Sequence, residues 1–407
     1  GKKTGYVYTL PSSSSMLLKY HLSISKLPDN NYSPRVSDDR VGHFLTMYQD
    51  YSNILSETPY VRYINRWHLE KKNPSAKLSD PKKPIVYWIE NTVPHEFRKA
   101  VRDGILGWNK SFEKIGFRNA IVVKQMPDDA DWDPADIRYS TIRWMIHPGS
   151  GYAVGPSRAN PITGELYDAD IRISTDYIRY FYTEYKDIMA PLINDEPISD
   201  IESDYHEHLN GKECTYAFEK KNQMAFLWDY MITKNIISGT DEALEKFVYE
   251  GIVDLILHEV GHTLGLRHNF KASSIYSINQ LSDKNFTEKY GISGSVMDYH
   301  PVCLLDKGHT LFQTKPGPYA EYAIDEELFI QLGLLQGKDI KKSVEERSFD
   351  IVLLPSMYMN MNSKRIYCAL MQDVLRDAFS REENQDSTLY KKRDLEIKSI
   401  TVTYLSS

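Results

Sequence analysis

The chain has 407 residues, 41% of them hydrophobic and 26% charged, and a formal net charge of -7. That length is too great for one simple core and implies two or three units of ordinary globular composition. The mild acidity argues against a polyanion-binding surface, so no nucleic-acid partner is expected, and no apolar run reaches the length of a transmembrane segment.

Three cysteines, Cys214, Cys303 and Cys368, lie far apart and form no CxxC pair. They allow at most one intrachain disulfide and leave the redox compartment open. The opening Gly1, Lys2 and Lys3 have no apolar signal core behind them, so no signal peptide is read in this chain.

In chain order, residues 5–10 and 17–24 alternate in the manner of strands around a serine-rich turn at 12–15. Residues 78–84 hold Pro81 and Pro84 among charges, which suits neither a helix nor a central strand. A boundary placed there assigns 1–83 to an N-terminal β-rich segment. The run from Ile85 to Ile89 predicts a buried strand. Pro94 then opens a helix, as proline does at a first helical position. Phe97, Val101, Ile105, Trp108, Phe112 and Ile115 recur at gaps of three and four and define one face of it.

Further strands are predicted at 120–123 and 137–146, and the order of elements implies a helix packed on a sheet. In 167–174, Asp168, Asp170, Arg172 and Ser174 alternate with Ala169, Ile171 and Ile173, a pattern that suits a sheet edge. Residues 187–239 are irregular and read as an insertion. Thr240 resembles an N-cap ahead of Asp241 and Glu242, where the helix dipole favours acids. The helical pattern continues to Leu264, with Gly251 as a candidate interruption. Beyond residue 311, helices are predicted at 323–335 and 364–379 and a strand at 397–405. The expected organisation is thus 1–83, a central unit at 84–310, and a helical or mixed C-terminal segment at 311–407.

The decisive run is HEVGHTLGLRH at 258–268. Residues four apart on a helix share a face, so His258 and His262 can offer two imidazoles to one ion. Gly265 can take the left-handed conformation that ends a helix, after which His268 can return a third nitrogen. Three protein ligands with one position left for water is the arrangement of catalytic zinc rather than of a closed structural site. Zinc lowers the pKa of its water to about 7. Glu259 then takes a proton from that water and passes it to a leaving amine. An HExxH alone arises on many charged helices, but the pattern extended by Gly265 and His268 arises by chance in roughly one such chain in tens of thousands. The apolar lead-in Ile252, Val253, Leu255, Ile256 and Leu257 buries the helix as such a site requires.

This run resembles the extended zinc signature of the metzincin clan, and Ser295-Val296-Met297-Asp298-Tyr299 resembles the clan's Met-turn. The resemblance implies an α+β catalytic domain: a twisted mixed sheet with the active-site helix, and a lower subdomain after the third histidine. It also implies a cleft lined by an edge strand, taken as 167–174, and extracytoplasmic localisation. Tyr299 is implied as a group that ligates the metal or stabilises the transition state; the other reading is a buried aromatic with its hydroxyl satisfied. Residues 63–67, 154–158 and 268–273 are similar to a poorly characterised bacterial family of large zinc metalloproteases.

Further features are an acidic loop, Asp128, Asp129, Asp131, Asp133 and Asp136, read as a solvated loop or a calcium site, and His206 with His208, whose spacing suits a strand face or loop or a second metal. The expected function is a zinc metalloendopeptidase acting on extended polypeptide, with Glu259 and Tyr299 catalytic and His258, His262 and His268 on zinc. The alternatives are a zinc amidase acting on a non-protein amide, and a zinc-binding module without turnover.

Overall fold

A computed structural model describes residues 26–38, 40–56, 58–146, 153–184, 241–300 and 312–332, together with Tyr20, Leu22, Ile24, Tyr216, Ala217, Lys220 and Leu334. The strand expected at 5–10, most of that at 17–24, the elements at 364–379 and 397–405, Thr240, the His206–His208 pair and all three cysteines lie outside the described residues.

The described elements are β1 Leu45–Gln49, β2 Tyr60–Ile64, β3 Arg66–Trp67, β4 Ile85–Ile89, α1 Arg98–Gly107, α2 Asn109–Lys114, β5 Ile121–Gln125, β6 Ser140–Met145, β7 Ala153–Val154, β8 Ser157–Ala159, β9 Glu165–Ala169, β10 Ile171–Ser174, α3 Thr175–Glu184, α4 Asp241–Thr263, α5 Ile278–Leu281, α6 Lys284–Tyr290, α7 Pro318–Ala323 and α8 Glu326–Gln331. The fold is α+β, as the sequence implies. Its main sheet has the order β5-β4-β6-β10-β7. The first four strands are parallel, and β7 runs antiparallel to β10 at the edge.

A parallel sheet needs cover on its faces. The predicted apolar helix face supplies it, with Val101, Ile105, Trp108 and Phe112 all buried. The helix breaks into α1 and α2 at Trp108, whose indole N–H donates to the Leu257 carbonyl of α4 at 2.9 Å. At Gly104 a Cβ would stand 2.7 Å from the side chain of Ile256, so the two helices cross in close contact. α4 runs through Gly251 without interruption and is buried on every side from Gly251 onward. A helix that is apolar all round belongs in a core, and this one packs on α1, β7 and β10.

The expected edge strand at 167–174 is a correction. It is two strands in two sheets. β10 has β6 on one side and β7 on the other, and β9 lies between β3 and β8. Its polar members do not face solvent: Asp168 is 1% and Asp170 3% exposed. Arg158 pairs with both carboxylates, Ser140 donates to Asp168, and Thr141 donates to Asp170. The period-two polarity therefore marks two buried carboxylates that pair with the half-exposed Arg158. Among the described residues, the edge beside α4 is β7.

Residues from the N-terminal 83 reach the same centre. β3 pairs with β9, His43 bridges to Leu266, and the Phe44 amide donates to the Gly265 carbonyl at 2.8 Å. No helix among the described residues is long and apolar enough to cross a membrane.

Candidate metal centre

The C-terminal end of α4 presents His258 and His262 one turn apart, and the chain reverses at Gly265 as its φ of +101° allows. A Cβ at Gly265 would collide with the Asn65 carbonyl oxygen. The reversal is held by the Leu266 amide donating to the Gly261 carbonyl at 3.0 Å. Beyond it His268 returns, and the candidate ligand atoms of all three histidines lie within 4.8 Å of one another. Among the described residues, no other group of three or more His, Cys, Asp or Glu side chains converges in this way; the acidic loop at 128–136 does not.

The protonation pattern fits a cation. His258 Nδ1 donates to the Val296 carbonyl at 2.7 Å and His262 Nδ1 to the Leu266 carbonyl at 2.9 Å. Each imidazole that spends its proton at Nδ1 leaves Nε2 as an acceptor. His262 Nε2 stands 3.1 Å from His268 Nε2, close enough for His268 to donate a proton to it or for both nitrogens to share one ion. Burial lowers the pKa of His258 well below its ordinary value, an effect reinforced by His262 and His268. Burial brings His262 to about 4, and burial with His262 and Arg267 lowers partly exposed His268. All three are neutral at pH 7, the form that ligates metals.

Glu259 is 0% exposed, and neither carboxylate oxygen completes a hydrogen bond of good geometry. Burial raises its pKa to about 8, against a smaller opposing pull from the Gly155 amide. A carboxylate buried with so little hydrogen bonding is costly. A nearby cation lowers that cost and favours the ionised form. Gly155 follows β7 directly and passes so near α4 that a Cβ on it would lie 2.6 Å from the Glu259 carbonyl oxygen.

Met297 is 1% exposed, with its sulfur against Gly261, beside His262 in sequence, so closely that a Cβ there would overlap it. The turn carrying it is tied to the third ligand, since the Asn269 amide donates to the Met297 carbonyl at 2.7 Å. Asp298 accepts hydrogen bonds from Ser273 and Ser293. Tyr299 is 6% exposed, with its ring 4.6 Å from that of His268 and 5.9 Å from that of His258.

Residues 240–325 match the Met-zincin family. The match spans α4, the three histidines and the methionine turn, and so bears out the resemblance to metzincin-type zinc metallopeptidases. The main sheet, α1 and Gly155 lie before the Met-zincin segment, yet they shape its centre. Residues 3–72 match a domain of unknown function (DUF5117), which brings His43 and Phe44 to the same place. The Phe44 ring lies 5.7 Å from that of His262. No curated protein and no solved structure matches the chain.

Three residues at the histidine centre have no functional role assigned from the sequence: Gly155, Tyr216 and Asp254. Asp254 had a legible signal, a lone acid inside the apolar run from Ile252 to Leu257. Gly155 was marked only by the family resemblance of 154–158, and Tyr216 by nothing, because their importance is a matter of long-range approach.

Proposed function

We propose that the chain is a zinc-dependent metalloendopeptidase that binds one zinc ion through His258, His262 and His268. The observation that carries this reading is the convergence of three neutral imidazoles beside a buried carboxylate whose polar neighbour, the Gly155 amide, makes no hydrogen bond of good geometry to it. Zinc bound there supplies Lewis acidity, which eases ionisation of water and polarises the substrate carbonyl. Glu259 accepts a proton from the attacking water at a carboxylate oxygen as the water oxygen bonds to the peptide carbonyl carbon. As the carbon–nitrogen bond breaks, Glu259 gives that proton to the departing amine nitrogen. The Tyr299 phenol, at the rim of the histidine cluster, serves the negative charge that develops on the carbonyl oxygen.

Polypeptide is the favoured substrate class because β7 ends beside Glu259 and has one strand partner among the described residues. An extended peptide can complete such an edge by strand addition, which places a peptide bond next to Glu259. A module that only stores zinc has no use for a buried carboxylate beside the ligands. The test is incubation of the purified protein with a peptide library, with and without a chelator. Cleavage that stops on chelation and returns with zinc supports the assignment. A zinc-loaded, folded protein that cleaves no peptide overturns it.

A further inference from the structure

Behind the histidines lies a buried polar group with no part in the chemistry proposed for Glu259. Asp254 sits one turn before His258 in α4 and is 0% exposed. Tyr216 and Lys220, from the chain between α3 and α4, are each 1% exposed, and His300 is 2% exposed. The Tyr216 hydroxyl donates to Asp254 Oδ1 at 2.9 Å and lies 2.8 Å from His300 Nε2. Lys220 Nζ lies 2.9 Å from Asp254 Oδ2 and 3.1 Å from His300 Nδ1. One assignment of protons satisfies these contacts. The ammonium donates to His300 Nδ1, so His300 Nε2 carries the ring proton and shares it between the tyrosine oxygen at 2.8 Å and Asp254 Oδ1 at 3.2 Å. The tyrosine then donates its own proton to the carboxylate. Burial alone would push the Asp254 carboxyl up, but Lys220 and His300 more than offset it and hold it at about 2.

A buried ion pair is a weak stabiliser, because desolvation cancels most of its attraction. The effect of this group is to fix a ring. Asp254 and His258 are four residues apart, on one helix face and about 6 Å apart along the axis. Tyr216 spans that interval, its hydroxyl on Asp254 and its ring stacked on the His258 imidazole, with centroids 4.0 Å apart and planes 12° apart. The bond from His258 Nδ1 to Val296 fixes one point of the imidazole but leaves its tilt free. A ring lying flat against it fixes the tilt. We propose that Tyr216 is a positioning residue for the metal: clamped by Asp254, Lys220 and His300, it holds the His258 imidazole in the plane that directs its second nitrogen toward His262 and His268. The stretch at 187–239, an insertion by its sequence, thereby contributes a part of the metal centre.

The inference rests on the three-histidine zinc reading, and the two fail differently. Zinc is loaded into wild type, Tyr216→Phe and Tyr216→Leu, and its transfer to a coloured chelator is timed. The cobalt-substituted proteins are compared by visible absorption, and the metal-free proteins by circular dichroism. Loss of outer-sphere support typically costs about 10- to 100-fold in metal affinity. Tyr216→Leu is therefore expected to release zinc about tenfold faster or more and to shift the cobalt bands, with a metal-free spectrum like wild type. Tyr216→Phe keeps the ring but loses its anchor and is expected to fall between them. Should Tyr216→Leu not fold, Tyr216→Phe decides alone. Folded variants with wild-type release and wild-type cobalt bands overturn the role of Tyr216. A wild type that binds no zinc overturns the zinc reading instead.

Discussion

Gly155→Ala probes whether substrate lies along β7. The added Cβ would stand 2.6 Å from the Glu259 carbonyl oxygen, where ordinary contact begins at 3.4 Å, so the two must part by about 0.8 Å. The helix cannot yield, because α4 is enclosed from Gly251 onward. β7 can, since it is two residues long and has one strand partner among the described residues. The displacement therefore falls on the strand, at a stability cost of about 1–3 kcal/mol, the usual range for overpacking. A misplacement of about 1 Å costs roughly 100-fold in rate when geometry is critical. The variant should keep its zinc and lose about 10- to 100-fold in kcat/KM on a peptide that wild type cleaves. Steady-state kinetics, metal content and a urea unfolding midpoint, measured together, separate this outcome from unfolding. Wild-type kcat/KM in the folded, zinc-loaded variant would refute the placement of substrate on β7.

His262→Ala should lose most bound zinc by metal analysis, since it removes one of three ligands; full retention would place the metal elsewhere. Tyr299→Phe should lower kcat more than it raises KM, because a phenol that serves the developing oxyanion acts in the transition state; a change in KM alone would make it a binding residue. Lys220→Met should cost about 3–5 kcal/mol in urea unfolding at pH 7, the usual result of leaving one buried charge unpaired. The Asp254 carboxyl is held at about 2 when folded, below its ordinary range, so its contribution is present above about pH 4 and lost as pH falls toward 2. The stability gap between wild type and Lys220→Met should therefore narrow across that acid range; a constant gap would show that Asp254 is not ionised in the fold.

The centre was legible in the sequence because its parts are local. Four-residue spacing, a turn-forming glycine and a third histidine all fall within one run, so helix geometry with one reversal at Gly265 brings His258, His262 and His268 together. The helix over the sheet was legible for the same reason, since Val101, Ile105, Trp108 and Phe112 recur at helical spacing and are buried. The cleft edge was not. Period-two polarity at 167–174 is the same whether the polar side chains meet water or, as here for Asp168 and Asp170, are buried against Arg158, Ser140 and Thr141. The actual edge, Ala153–Val154, is too short to show any period. Tyr216 lies 42 residues before His258 in a stretch of no regular pattern, so only the folded chain brings its ring onto the ligand.

Glu259 is the residue on which the proposed hydrolysis depends, and Glu259→Gln with bound zinc isolates its part. The carboxylate is not needed as a ligand, so zinc content and circular dichroism should match wild type. Turnover of a peptide that wild type cleaves should fall by about two to four decades, the range of a general base. Near-normal turnover by the zinc-loaded variant would contradict the mechanism.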